Sequence, residues 1–390
     1  MFWLFLIVFI DSIGFGIILP LLPIFALKFQ ITAFHLGILT AIFSFFQLIT
    51  SPFLGALSDR FGRKYIMLVC LLAIGFSYHL LANATTFLEA LLSRALAGIF
   101  TGNISVALAA TSDLSSTKNR AKYMGIIGAA TGLGFVMGPA IGGFFAGDNV
   151  ENANLHLVFN IAAIATTSAG ILLAVFFKET LPKHNRGTFN LQTKIKRTLF
   201  LIYNNRNMMF LIYLSVLMWF SFSSINVFLT IWSVEKFDLS PFHLGIIGTL
   251  FALTAAVVQI VSPMYIQGGK AILIGFQISA FAILSVLFHP SLPILGIILV
   301  FIATGIGILY PNLNSTISMY GSSSQRGFIL GLSQSAGTLG QTIGPLIVGF
   351  SYSAFNPSAA WILIGGGFIL ASFITLAYML HENKNFTSKP

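Results

Sequence analysis

From Phe2 to about residue 380 the chain is a near-unbroken succession of apolar runs, each close to the length of a bilayer crossing. In lipid such a run must satisfy its own backbone hydrogen bonds, so it folds as a helix. Twelve spans are expected, at roughly 2–27, 36–57, 65–82, 86–111, 121–147, 155–177, 207–232, 242–265, 270–289, 292–317, 327–353 and 358–380. Charged residues are only 8% of the 390, too few to cover a soluble surface of this size. The reading is an all-α polytopic membrane protein. The first run starts at Met1 without a basic leader and carries Asp11, so it reads as a retained span rather than a cleaved signal. Cys70 is the single cysteine, which excludes an intrachain disulfide framework and a clustered thiolate site.

The spans fall into two copies. Residues 125–143, GIIGAATGLGFVMGPAIGG, carry Gly125, Gly134, Gly138, Pro139, Gly142 and Gly143. Glycines four apart share one helix face and let two backbones approach closely. The pattern returns at 331–349, GLSQSAGTLGQTIGPLIVG, where, of those six positions, only the counterpart of Gly142 has changed, to Val348. Arg120 and Arg326 keep the same offset, and Phe34-His35-Leu36-Gly37-Ile38 returns as Phe242-His243-Leu244-Gly245-Ile246. The chain is therefore a duplication. Its expected division is a six-helix bundle over 1–177, a linker over 178–206 and a second bundle over 207–390. Duplicated halves in a membrane suggest a transporter with its site between them.

Basic residues orient the spans. Of the 20 Lys and Arg, Lys28 and Lys236 fall on one face, Arg94 lies within a span, and the rest fall on the opposite face. That basic face, with both termini and the 178–206 linker, is expected in the cytoplasm. The net charge of +10 then reads as topology and contact with anionic lipid head groups rather than nucleic-acid binding. Residues 191–203 are either a short interfacial helix or a plain connector.

Few polar side chains lie at membrane depth. Asp11 sits about nine residues from its span end, roughly 14 Å deep at helical rise. A lone carboxylate there faces the protein interior or a water-filled cavity, and can carry a proton. The alternative is a packing aspartate held by neighbouring hydroxyls. Arg94 lies at similar depth, cannot discharge itself, and needs an anion, dipoles or water. Gln47, among Phe43, Phe45 and Phe46, and Asn103 are candidates to contact a substrate. Ser223, Asn226, Gln259, Tyr310 and Asn312 are their counterparts in the second half. Pro311 breaks span ten and exposes backbone groups there. Gly62 allows a tight turn after span two, and Asp59 either caps the third helix or pairs with a basic group. No Walker loop, metal-spaced His/Cys cluster or catalytic triad is present, so neither enzyme activity, nor a metal, nor a cofactor is expected.

Four stretches resemble one family. GALSDRFGRK (55–64) resembles the signature between spans two and three of the major facilitator superfamily, and RALAGIFTG (94–102) its fourth-span signature. The 125–143 stretch resembles the fifth-span motif of its drug–proton antiporters, with every glycine present. DSIGFGIILPLLP (11–23) resembles the first span of tetracycline-efflux-like members. The resemblance covers essentially the whole chain. It implies the major facilitator fold, twelve transmembrane helices in two six-helix halves. It also implies that Arg94 assists proton coupling at Asp11, and that Asp59, Arg63, Asp113 and Arg120 form an inner gate. Tetracycline exporters carry an acid in span three near the place of Ser77, and often one in span nine; this chain has neither.

The expected function is proton-coupled export of a small organic or drug-like compound by alternating access, in a monomer of a bacterial inner membrane. A metabolite symporter or facilitative transporter is the alternative. A non-transporting receptor or scaffold is the alternative of a different class.

Overall fold

The structure is a computed structural model that describes residues 1–29, 31–115, 119–181, 206–319 and 326–382, without the side chains of 120–122, 318, 326–332 and 381–382. Most of the central linker, including 191–203, lies outside the described residues. The helices are α1 (Phe2–Lys28), α2 (Ala33–Phe61), α3 (Arg63–Ala82), α4 (Phe87–Phe100), α5 (Asn103–Leu114), α6 (Arg120–Ala146) and α7 (Leu155–Phe176). In the second half they are α8 (Arg206–Phe237), α9 (Pro241–Tyr265), α10 (Gly268–Ser285), α11 (Leu292–Met319), α12 (Arg326–Ala354) and α13 (Pro357–Glu382).

Eleven described helical segments are long and apolar enough to cross a membrane, with α4 and α5 counting as one. The 29-residue α12 completes the twelve expected spans. The expected fourth span is thus two helices, interrupted at Thr101–Gly102. The local sequence explains the break. Thr101 Oγ1 donates to the Ala97 carbonyl at 2.6 Å, and Ser105 Oγ donates to the Gly102 carbonyl at 2.6 Å. Asn103 Oδ1 accepts the Ile104 N–H at 2.9 Å. Such side-chain bonds compete with the helical ladder.

Lipid gives helices little hydrophobic reason to associate, so close backbone packing carries much of the cohesion. A Cβ at Gly134 would strike Ser12, and one at Gly138 would strike Gly16, so the glycine stripe of α6 lies directly on α1. The second copy does the same. Gly340 and Gly344 of α12 lie against the α8 backbone at Val216 and Phe220, and the changed position, Val348, is fully buried. The other echo is also structural. Thr32 caps α2 by accepting the His35 N–H and meets His35 Nδ1 at 2.7 Å; Ser240 treats His243 alike, also at 2.7 Å. Outward faces carry large apolar groups such as Ile164 and Phe373, as lipid contact requires.

The chain forms two compact units, Met1–Arg197 with Asn226–Leu250, and Thr198–Ile225 with Phe251–Pro390. Residues 226–250, from the second sequence half, pack with the first unit. Gly143 of α6 abuts Gly245 and Pro241 of α9, and the Phe242 N–H donates to the Gly147 carbonyl at 3.3 Å.

Candidate functional site

In the first unit the α1–α6 glycine seam places Asp11, next to the Ser12–Gly134 contact, facing the break in the fourth span. Asn103 is the first residue of α5. Its Oδ1 is held by the Ile104 N–H, which turns Nδ2 toward α1. Nδ2 donates to Asp11 Oδ2 at 2.6 Å. The interrupted helix therefore aims one amide at the deep carboxylate. A small cavity with room for about one water borders the pair, lined also by Ile7, Val8, Met67, Leu71, Ile104 and Ala107. Cys70 is fully buried in the apolar cluster on the same side. Thr166 of α7 is fully buried beside Gly14, one turn from Asp11.

Arg94 is placed by a different close approach. Gly98 brings α4 onto the α2 backbone at Phe43, and one turn earlier the Arg94 guanidinium lies 4.4 Å from the Phe43 ring centroid. Arg94 has no acidic partner within ion-pair distance among the described residues, so Asn103, rather than Arg94, bonds Asp11. Phe43 in turn touches Phe15 of α1, at 5.6 Å between centroids, and Phe15 touches Phe135 of α6 at 5.7 Å.

At the basic face a polar cluster closes around Arg63, which is 7% exposed. Gly62 has φ 105°, which permits a one-residue turn between α2 and α3. Arg63 Nη1 then meets Asp59 Oδ1 at 2.6 Å and donates to Ser58 Oγ at 2.6 Å, while Nε donates to Asp113 Oδ2 at 3.1 Å. Asp59 therefore pairs, and another acid does the capping. Glu179, just past α7, accepts the Arg63 and Lys64 N–H groups at 2.9 and 3.3 Å. Sequence reasoning missed Glu179 and Ser58. The only signal for Glu179 was an acid following the sixth span. The Arg120 side chain lies outside the described residues.

The remaining candidates are dispersed. Gln47 is half-buried on α2, one turn beyond Phe43. In the second unit, Tyr310 accepts from Gln334 Nε2 at 3.1 Å and meets the Trp219 ring edge-on at 6.1 Å, beside Phe222. Gln334 had no signal in the sequence beyond its place inside the glycine-patterned stretch 331–349. Asn312 is buried: Oδ1 accepts the N–H of Gly268, which has φ 66°, and Nδ2 donates to Ile308. It ties α10 to α11. Ser223 donates back to Phe220 in its own helix at 3.4 Å, Asn226 is half-buried, and Gln259 is exposed. His79 bonds Asn160 at 2.7 Å, and Glu89 closes a capping box with Thr86.

In the antiporter-like motif, Gly134, Gly138 and Gly142 lie against α1, Gly143 lies against α9, and Gly125 meets no neighbour among the described residues. Pro139 also belongs to the α6–α9 contact, since its carbonyl lies against Gly245.

Known proteins resemble the chain along most of its length. The profile of the Major Facilitator Superfamily matches residues 4–320 and 237–389. The chain is 30% identical to the class B tetracycline resistance protein of Escherichia coli, covering 95% of this chain and 94% of that one. It is 28% identical to multidrug resistance protein 2 of Bacillus subtilis (strain 168), covering 97% and 94%. It superposes on the human organic anion transporter MFSD10 (TETRAN) with TM-score 0.72 and 26% identity, covering 96% and 98%. A carboxylate held at membrane depth in a duplicated twelve-span fold, with these relatives along its whole length, marks the chain as a transporter rather than an enzyme, and it belongs to the Major Facilitator Superfamily.

Proposed function

We propose that the protein exports a small organic compound in exchange for protons by alternating access, with Asp11 as the proton site. The observation that carries this reading is the Asp11–Asn103 hydrogen bond of 2.6 Å at the break in the fourth span, beside a cavity of water size. The carboxylate is the one acid deep in a span. Its charge is costly in a membrane unless solvated or hydrogen-bonded, and protonation removes that charge. Exchange of the proton can therefore favour one side of the transport cycle over the other. Arg94 supplies a fixed positive charge in the same bundle. The relatives named for tetracycline and multidrug resistance support an efflux role.

The two six-helix halves, 1–177 and 207–390, are the bodies that rock in this scheme. Asp59, Arg63 and Asp113 hold the cytoplasmic ends of the first half together, with Arg120 as a further partner, and so act as the inner gate. Gln47 contributes a polar contact to substrate in the first unit. The protein works as a monomer in the bacterial inner membrane, with its basic loops on anionic lipid and both termini in the cytoplasm.

The deciding experiment reconstitutes the purified protein in sealed vesicles with an imposed pH gradient and screens compounds for substrate-driven proton movement. Wild-type protein should move protons when substrate is added, whereas Asp11→Asn should bind substrate yet move none. Wild-type proton flux in Asp11→Asn would remove Asp11 from the role. Substrate flux insensitive to the gradient would make the protein a facilitative carrier.

A further inference from the structure

Arg94 is 4% exposed, and its Nε and Nη1 meet no acceptor among the described residues. Two of the three guanidinium nitrogens are thus enclosed without a hydrogen bond. The Phe43 ring lies over the guanidinium at 4.4 Å. A ring face attracts the charge but does not accept the in-plane N–H groups. The one deep carboxylate that would answer this charge, Asp11, is bonded to Asn103 instead. An arginine does not lose its proton to escape burial, so an enclosed and unanswered guanidinium is a strong attractor for an anion.

Beside it runs an aromatic surface assembled from three further helices. Phe43 of α2 contacts Phe15 of α1, and Phe15 contacts Phe135 of α6, with centroid distances of 5.6 and 5.7 Å. Phe43 is almost fully enclosed, but Phe15 is only partly so and Phe135 is 37% exposed, which leaves ring surface free to meet a ligand. A fixed cation at one end and open aromatic faces at the other match a flat ring that carries one negative group.

We propose that Arg94 anchors the carboxylate, or a similar monoanionic group, of an aromatic substrate whose ring lies along Phe15 and Phe135. This inference rests on the transport reading above and names its substrate class: organic monoanions rather than organic cations. Export of a monoanion against an entering proton also moves net positive charge inward, so a membrane potential negative inside drives it.

The test uses the full-length purified protein in nanodiscs and three matched probes: 2-naphthoate, 2-naphthamide and 2-naphthylmethylammonium. Wild-type protein should bind the carboxylate at least about tenfold more tightly than the amide, the effect expected of a hydrogen bond to a charged group, and should bind the ammonium probe most weakly. Arg94→Gln should lose that advantage while its amide binding stays near wild type, and Arg94→Lys should restore part of it. Phe135→Ala should weaken carboxylate and amide alike. Equal wild-type affinity for carboxylate and amide overturns the proposal without recourse to any variant, as does an Arg94→Gln protein that binds 2-naphthoate like wild type. Proton movement in Asp11→Asn vesicles is measured separately and tests the transport reading by itself: Arg94-dependent naphthoate binding with undiminished proton flux in Asp11→Asn sinks the Asp11 assignment and leaves the anion site standing.

Discussion

At the scale of single residues, the first unit separates its two deep charges. Asp11 receives an amide hydrogen bond and borders a small cavity, whereas Arg94 is held over a ring. On the proposed function, Asn103 is a positioning residue for the carboxylate. Asn103→Ala should lower substrate-driven proton flux by about tenfold, the scale of a lost hydrogen bond to a charged group, with expression preserved; vesicle fluorescence reports it. Asn103→Asp should do worse, since it sets two acids face to face. At the basic face, Arg63 bridges Asp59 and Asp113, whose side chains are 35% and 24% exposed. Because these pairs are only part-buried, their worth is modest. A double-mutant cycle between Arg63→Gln and Asp113→Asn, read from thermal unfolding in detergent, should show coupling of about 1 kcal/mol. Strict additivity would mean that the cluster does not act as a unit. Asp11 and Arg94 were legible in the sequence because a charge inside an apolar run stands out. Asn103 was legible only as a polar residue near the same depth. Its bond to Asp11 depends on the α4–α5 break, which aims Nδ2.

At the scale of elements, the glycine motif resolves into positions with different physics. A Cβ at Gly138 would collide with the Gly16 backbone, and one at Gly344 with the Phe220 carbonyl. Backbone cannot swing aside as a side chain does, so the helices must separate. Gly138→Ala and Gly344→Ala should each cost about 1–3 kcal/mol, as overpacking does, and lower the melting temperature in detergent. Gly125 has no described atom within 4 Å of its added Cβ, so Gly125→Ala should be neutral or stabilising. An equal loss at Gly125 and Gly138 would show that the motif is not governed by close approach. The spacing of the motif in sequence marked a packing face. It did not tell which helix the face meets, nor that Gly143 leaves α1 and touches Gly245 of α9. The reason is that helical periodicity is local, while the identity of a partner follows from how twelve spans are arranged.

At the scale of the whole molecule, the distribution of Lys and Arg sets the expected orientation. Lys178 and Lys236 are both exposed and lie on opposite faces of that topology. In a Cys70→Ser background, a membrane-impermeant thiol reagent added outside intact cells should label Lys236→Cys and leave Lys178→Cys unlabelled. The reverse pattern would invert the topology.

Hydropathy and duplication are properties of the linear chain, and they were enough for the helical class and the number of spans, while four short motifs pointed to the family. Lipid leaves each long apolar run a single way to satisfy its backbone, so the element type follows from composition alone. Even the Phe-His-Leu-Gly-Ile echo carried structure, since both copies begin helices with a hydroxyl cap on the histidine. Which polar groups meet was decided by tertiary packing. Glu179 lies more than a hundred positions from the α3 terminus that it caps, and Asn312 is bound into a helix contact although its sequence neighbourhood suggested an open binding break. Arg94 and Asp11 stand at similar depth, yet one answers a ring and the other an amide. Depth along a span is written in the spacing of residues. The direction a side chain finally takes depends on backbone separations that glycines such as Gly98 and Gly134 permit, and those exist only once the helices are packed.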